Sequence, residues 1–395
     1  MKRILGFTPR YLLAAMLLTG TLSLQAQREG RFWTHGLGKA MKSFDQWLEK
    51  GQRSGIDTTY QDIPQLNHQV YLGTYVYWQN YQMHHPVYIS DGLRDLYPDM
   101  QTWSSFNIHA HTLQAEMEVG IDWKGLAIEI PIPIRNNYLW STGLAKNGSV
   151  WGFRIRYKNL KRMDGYSHFS GDLESMPTAP TDPTDIEEFY ADKSNPHDHN
   201  VRIFYTEGYY VLWHRKFSLS AGLYGDMVQK RSAGSPLFYV NYYQSCYSGR
   251  DILIANADKY RTRQASIGAG YGYNLSLDQG KLVFHASVVP MFSVYNILKH
   301  DSYYDGHTVS LTGLTPQEIV AKYYPAGETS FYDAADNGHA HFRVNTFGRF
   351  AANYRYHRCI LSLLANYRLY GYSNNKGFSI LNQEADFQFN LGYCF

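Results

Sequence analysis

Residues 111–123 read HTLQAEMEVGIDW. Leu113, Ala115, Met117, Val119, Ile121 and Trp123 fall on one set of alternate positions. Thr112, Gln114, Glu116, Glu118, Gly120 and Asp122 fall on the other. Strict alternation marks a β-strand with one apolar and one polar face. Residues 150–158 repeat it, with Trp151, Phe153, Ile155 and Tyr157 against Arg154, Arg156 and Lys158. So does 384–395, with Phe387, Phe389, Leu391, Tyr393 and Phe395 against Glu384, Asp386, Gln388 and Asn390.

Working outward, strands are predicted near 68–80, 108–123, 125–135, 149–158, 160–170, 200–213, 216–230, 236–248, 260–276, 280–296, 341–356, 358–373 and 383–395. Several run ten to sixteen residues, whereas soluble strands average about 5–6 and a tilted strand needs about 9–11 to cross a bilayer. Tight turns at Lys124-Gly125, His214-Arg215 and Tyr356-His357 alternate with long polar stretches at 81–107, 171–199 and 297–340. That is the habit of a transmembrane barrel. Thirteen strands is an odd count where an even one is expected, so the expectation is 12–14, with 160–170 and 248–259 the weakest assignments.

Composition agrees. Of 395 residues, 35 are Tyr; aromatics make up 16% and charged residues 18%. Few charges and many aromatics argue against disorder and coiled coil. The formal net charge of +3 leaves no basic footprint for nucleic acid. Tyr and Trp suit the headgroup level of a bilayer, so the tyrosines are expected largely on the outside. Three cysteines, Cys246, Cys359 and Cys394, exclude a disulfide scaffold. Alternation turns Cys359 outward and Cys394 inward, so free thiols are expected.

The N-terminus is different. Lys2, Arg3 and Arg10 precede an apolar run from Tyr11 to Leu24, with Ala26 at a small-residue cleavage position. This predicts a signal peptide over 1–26 and export of the mature chain. Leu37, Met41, Phe44 and Leu48 then recur at three and four, predicting a short amphipathic helix. The expected organisation is a signal peptide at 1–26, a periplasmic helical segment at 27–66 and an outer-membrane barrel at 67–395.

Four stretches carry a family resemblance. They are Gly55-Ile56-Asp57-Thr58-Thr59-Tyr60, Lys230-Arg231-Ser232-Ala233-Gly234-Ser235, Gly268-Ala269-Gly270-Tyr271-Gly272-Tyr273-Asn274, and Phe389 to Phe395. Over roughly 55–395 the chain resembles the uncharacterised Bacteroidetes-type outer-membrane β-barrels grouped as a domain of unknown function. The resemblance implies an all-β transmembrane barrel in the outer membrane and brings no catalytic residues with it.

Candidate function lies first on the polar faces. Arg154, Arg156, Arg343, Arg349, Arg355 and Arg368 are expected inside, opposite Glu116, Glu118, Asp122, Glu129, Glu384 and Asp386. Both signs occur in similar number. Two readings stay open: an ion-selective constriction, or an internal salt-bridge network filling a narrow barrel. His285 and Ser287 share one strand face, as a base and a nucleophile would, but they alternate with apolar residues that place them toward the lumen, and no third group is visible. His197, Asp198 and His199 sit in an acidic, proline-rich stretch without a regular Ca²⁺-loop spacing. No cofactor is expected. The expected surroundings are outer-membrane lipid and lipopolysaccharide, with the barrel-assembly machinery during insertion. Three functions are weighed: a passive small-solute channel or structural envelope protein, a surface adhesin using the long loops, and a membrane-embedded lipid-modifying hydrolase.

Overall fold

The computed structural model describes residues 42–48, 55–64, 68–89, 102–132, 138–171, 193–194, 199–250, 257–304, 307–310, 331–333, 343–373 and 378–395. It separates into two units, 1–51 and 52–395. In the first, residues 42–48 are helical, with Phe44 and Trp47 stacked at 5.8 Å. Leu37 and Met41 of the predicted helix lie outside the described residues, as do residues 1–26.

The second unit is an antiparallel barrel of twelve strands. They are β1 (His68–Ile89), β2 (Thr102–Trp123), β3 (Leu126–Ile132), β4 (Leu139–Lys146), β5 (Trp151–Gly171), β6 (His199–Val211), β7 (Ala233–Arg250), β8 (Ala257–Leu277), β9 (Leu282–Tyr304), β10 (Val344–Tyr356), β11 (Cys359–Ser373) and β12 (Ser379–Cys394). Each pairs with its chain neighbour, and β12 closes on β1. Closure leaves no open sheet edge among the described wall strands, so their backbone N–H and C=O groups pair within the wall, as hydrocarbon demands. The last backbone amide, of Phe395, donates to the carbonyl of His68 at 2.9 Å.

The β3–β4 hairpin is short. Below it, β2 pairs with β3 from Met117 to Trp123. Above it, β2 pairs directly with β5, Ser104 to His111 against Gly171 to Asp164. Twelve strands therefore surround one half of the barrel and ten the other.

Three predicted elements are corrected. The segments 149–158 and 160–170 are one strand, β5. A register shift between Leu160 and Met163, with Arg162 at φ 58°, interrupts the alternation and mimics a strand boundary. Residues 216–230 are not a wall strand; they hold the short helix Leu219–Leu223 and then Val228–Gln229, which pairs with Gln61–Asp62. A strand at 139–146 was not predicted. Merging one pair, losing one strand and gaining one gives the even count.

The outside is apolar. Leu113, Val240, Val288, Phe350, Phe389 and Leu391 are exposed, and Leu113 is 69% exposed. Trp123, Trp151, Trp213, Tyr356, Tyr393 and Phe395 crowd the end that carries the tight turns and the chain terminus. An apolar band edged by amphipathic aromatics matches a barrel in lipid. The tyrosines depart from expectation: twelve are buried inside among the described residues, including Tyr75, Tyr77, Tyr81, Tyr243 and Tyr247. Their rings stack across the lumen, as Tyr243 on Tyr370 at 3.9 Å and Tyr81 on Tyr247 at 4.8 Å. These tyrosines fill the lumen with their rings, while others, such as Tyr210, Tyr271, Tyr273 and Tyr356, stand on the outside.

Candidate functional site: the filled lumen

Period-two geometry puts Arg154, Arg156 and Lys158 on the inner face of β5, one above the other. Three like charges so spaced need acids opposite them, and the fold supplies these. Arg154 Nη2 reaches Glu129 Oε1 at 2.8 Å. Arg156 Nη2 reaches Glu118 Oε2 at 2.9 Å, and its Nη1 lies 3.4 Å from Glu129 Oε2. Lys158 Nζ lies 3.2 Å from Glu384 and 3.9 Å from Asp386. Arg368 pairs with Asp386, and Arg349 with Glu207. All of these side chains are almost wholly buried.

Aromatic faces and amides complete the lattice. Arg156 lies 3.9 Å from the Tyr75 ring centroid, and Lys158 4.0 Å from that of Tyr77. Gln388 Nε2 donates to Glu118 at 2.8 Å, and Tyr243 donates to Glu384 at 2.7 Å. Glu116 accepts from the Ser141 amide at 3.1 Å. Several of these contacts join strands that are not neighbours, so they cross the lumen. Nearest the loops they give way to a packed cluster that includes Met83, Ile108, Leu160, Ile203 and Phe378.

At the tight-turn end the connection between β6 and β7 folds inward. Ser218 caps the helix Leu219–Leu223, its Oγ accepting from the Ala221 amide at 3.1 Å. All five helix residues are buried, which small Ser220, Ala221 and Gly222 allow. Phe217, Leu219 and Leu223 pack with Leu237, Val289 and Phe347. Asn274 Nδ2 donates to Ser218 O at 2.7 Å, while Asn353 and Arg355 donate to the carbonyls of Gly222 and Gly225. Gly225 needs its glycine, with φ at +69°. Between this strap and the ion pairs, a cavity of about 20 Å³ touches Asp122, Glu129, Arg154, Asn147 and Tyr224. That is room for about one water.

The sequence candidates therefore divide. Glu116, Glu118, Arg154, Arg156, Arg349, Arg368, Glu384 and Asp386 line the lumen together. Asp122 is buried but accepts from the Gly125 amide at 2.8 Å, holding the β2–β3 turn. Arg355 serves the strap. Arg343 is exposed, donating to Ser373 at 3.0 Å, and is not part of the ion-pair lattice. Two members were not nominated from sequence, Lys158 and Glu207, although both stand on polar faces of alternating strands. His197 and Asp198 lie outside the described residues. His199 is buried at the start of β6 beside the Tyr247 hydroxyl, not in an external loop. Cys359 is exposed, Cys394 buried, and the three cysteines are free.

His285 and Ser287 do come together: Nε2 lies 2.9 Å from Ser287 Oγ. The third group that sequence could not show is Asn274. It stands opposite His285 on β8, with Oδ1 2.7 Å from Nδ1. Only the register of β8 on β9 reveals it.

With this geometry in hand, comparison places the chain. Residues 185–395 match a family described as a domain of unknown function (DUF4421). The match spans more than half of the chain, which belongs to this family. Among curated proteins, none matches. Solved structures similar in fold are outer-membrane barrels. The protease OmpT from Escherichia coli aligns at 9% identity over 83% of this chain and 97% of its own, with TM-score 0.36. The translocator domain of the autotransporter NalP from Neisseria meningitidis aligns at 9% identity over 97% and 100%, with TM-score 0.26. The toluene transporter TodX of P. putida aligns at 7% identity over 84% and 91%, with TM-score 0.23. Likeness this distant assigns no activity.

Proposed function

We propose that this protein is a sealed outer-membrane barrel with a structural role in the envelope, not a diffusion pore. The observation that carries the reading is the set of buried pairs crossing the lumen, above all Lys158–Glu384 and Arg349–Glu207. A solute would have to break several pairs whose charges are almost wholly buried, each costing several kcal/mol. The inward strap supports the same reading at the tight-turn end. In this arrangement residues 1–26 direct export, the assembly machinery inserts the barrel, and the tight turns and strap face the periplasm. Lipopolysaccharide and phospholipid surround the apolar band.

Planar-bilayer recording tests it. The refolded protein, shown to be inserted by protection from protease, is expected to give no discrete open steps under voltage. Reproducible unitary conductance would overturn the reading and return Arg156 and Glu118 to the role of a selectivity constriction.

A further inference from the structure

We propose that Ser287, His285 and Asn274 form a serine hydrolase centre in the barrel wall, acting on short-chain carboxylic esters with Arg349 stabilising the oxyanion.

The hydrogen bonds fix the chemistry. Gln229 Nε2 donates to the carbonyls of Lys216 and Arg231 at 2.7 and 2.8 Å, so its Oε1 is an acceptor. Asn274 Nδ2 lies between that Oε1, at 3.2 Å, and Ser218 O, at 2.7 Å. The amide can therefore point only its oxygen at the imidazole. Histidine must then carry its proton on Nδ1, donating to Asn274 Oδ1, which leaves Nε2 a bare lone pair. Ser287 Oγ–H donates to that lone pair. This is the tautomer a general base requires, held by an orienting group on its far nitrogen.

A charge stabiliser stands beside the nucleophile. Arg349 is the register partner of Ser287 on β10. Two of its nitrogens are committed, Nη1 to Tyr239 at 3.2 Å and Nη2 to Glu207. Its Nε is buried and has no hydrogen-bond partner among the described residues. A spare donor on a fixed, buried cation is the kind of group that stabilises a developing oxyanion. On the other side Ser287 faces Gly272, which contributes no side chain. A methyl there would lie 2.9 Å from Leu237 Cδ1 and 3.2 Å from Phe217 Cζ, so even a small acyl group enters only as these side-chain ends shift, and a long one is shut out.

In the reaction Ser287 Oγ attacks the ester carbonyl carbon while its proton passes to His285 Nε2. The carbon–oxygen bond to the alcohol breaks, and the same proton leaves with the alcohol. Water then attacks the acyl-serine, giving its proton to Nε2 and releasing the carboxylic acid as Oγ is reprotonated. Ester and water become acid and alcohol. Asn274 is a positioning residue.

The test uses the refolded full chain and diisopropyl fluorophosphate, with the adduct located by mass spectrometry. One adduct on Ser287 is expected, absent from S287A. Hydrolysis of 4-nitrophenyl acetate should fall by about a hundredfold or more in S287A and H285Q. Asn274→Asp should keep much of the kcat, because a carboxylate still accepts from Nδ1, whereas Asn274→Leu should lose it. A group serving only to tether the strap would show no such rescue, since Asp lacks the donor that Ser218 O requires. The unfolding midpoint of each variant separates loss of fold from loss of chemistry. If the folded wild-type chain gains no adduct on Ser287, or if S287A hydrolyses the ester as fast as wild type, the proposal is overturned, whatever the bilayer recordings show.

Discussion

Lys158 of β5 and Glu384 of β12 meet at 3.2 Å inside the barrel, although their strands are not neighbours and 226 residues separate them. Each is nearly inaccessible to water. Such a pair ties opposite parts of the wall, and its value depends on both partners being present. Replacing Lys158 by Met leaves a buried carboxylate without its nearest cation. A loss of about 3–5 kcal/mol is expected. Replacing both, in K158M/E384M, should recover most of it, since apolar packing removes the uncompensated charge. Urea unfolding in vesicles, followed by tryptophan fluorescence, gives both values. Equal losses in the single and double variants would show that the pair does not act as a unit.

Gly120 and Tyr71 are directly opposed on β2 and β1. The tyrosine ring lies over the glycine so closely that a Cβ would fall 1.9 Å from Tyr71 Cζ. The ring is aimed there because its hydroxyl donates to Glu129 at 3.2 Å. Gly120→Ala should displace the ring and cost about 1–3 kcal/mol. In a Tyr71→Ala background the same change should cost far less. The double-mutant cycle in urea reads the difference directly.

Asp226 gives a pH dependence. It lies in the inward strap, outside the wall strands, and burial pushes its carboxyl up to about 6, with Ser220, Lys146 and Arg355 partly offsetting this. The unfolded chain releases this proton near 3.8, and the folded chain holds it until about 6. The group therefore adds no pH-dependent loss below about pH 4. Its destabilising effect grows as pH rises toward 6 and then levels off, at on the order of 3 kcal/mol. Asp226→Asn should remove this component. The difference in unfolding free energy between variant and wild type, measured from pH 4 to 8, should rise in the variant's favour and plateau above 6. A flat difference would refute the assignment.

Leu113 tests the outward face. It stands ten residues along β2 from Trp123, which sits in the aromatic edge of the apolar band. Leu113→Arg should weaken folding into vesicles by about 2–4 kcal/mol. The fraction folded across a urea series measures it.

Much of the wall was legible in sequence because a barrel strand has to alternate. Residues 111–123, 151–158 and 384–395 do so without interruption. Legibility failed where the local rule broke for a reason in the third dimension. Phe217, Leu219, Ala221 and Leu223 alternate as a strand would, yet they fill a lumen on all sides, and only closure of the wall creates that space. Arg162 turns β5 through a bulge, which reads as an ending. Trp140-Ser141-Thr142-Gly143 alternates too weakly to be seen. Of the site, the charged lining could be read from the polar faces of strands. Which acid meets which base depends on strand order. Asn274 was invisible for the same reason: it lies eleven residues before His285, and only the register of β8 on β9 across the turn at 278–281 brings the two together.

The short β3–β4 hairpin has one more implication. Because β2 and β5 are neighbours above it and strangers below, the hairpin is a wedge driven into a ten-strand cylinder from one rim. The barrel wall must widen toward that rim, as a funnel does. The wide end is also where the strap is lodged, so the strap occupies room that the wedge creates.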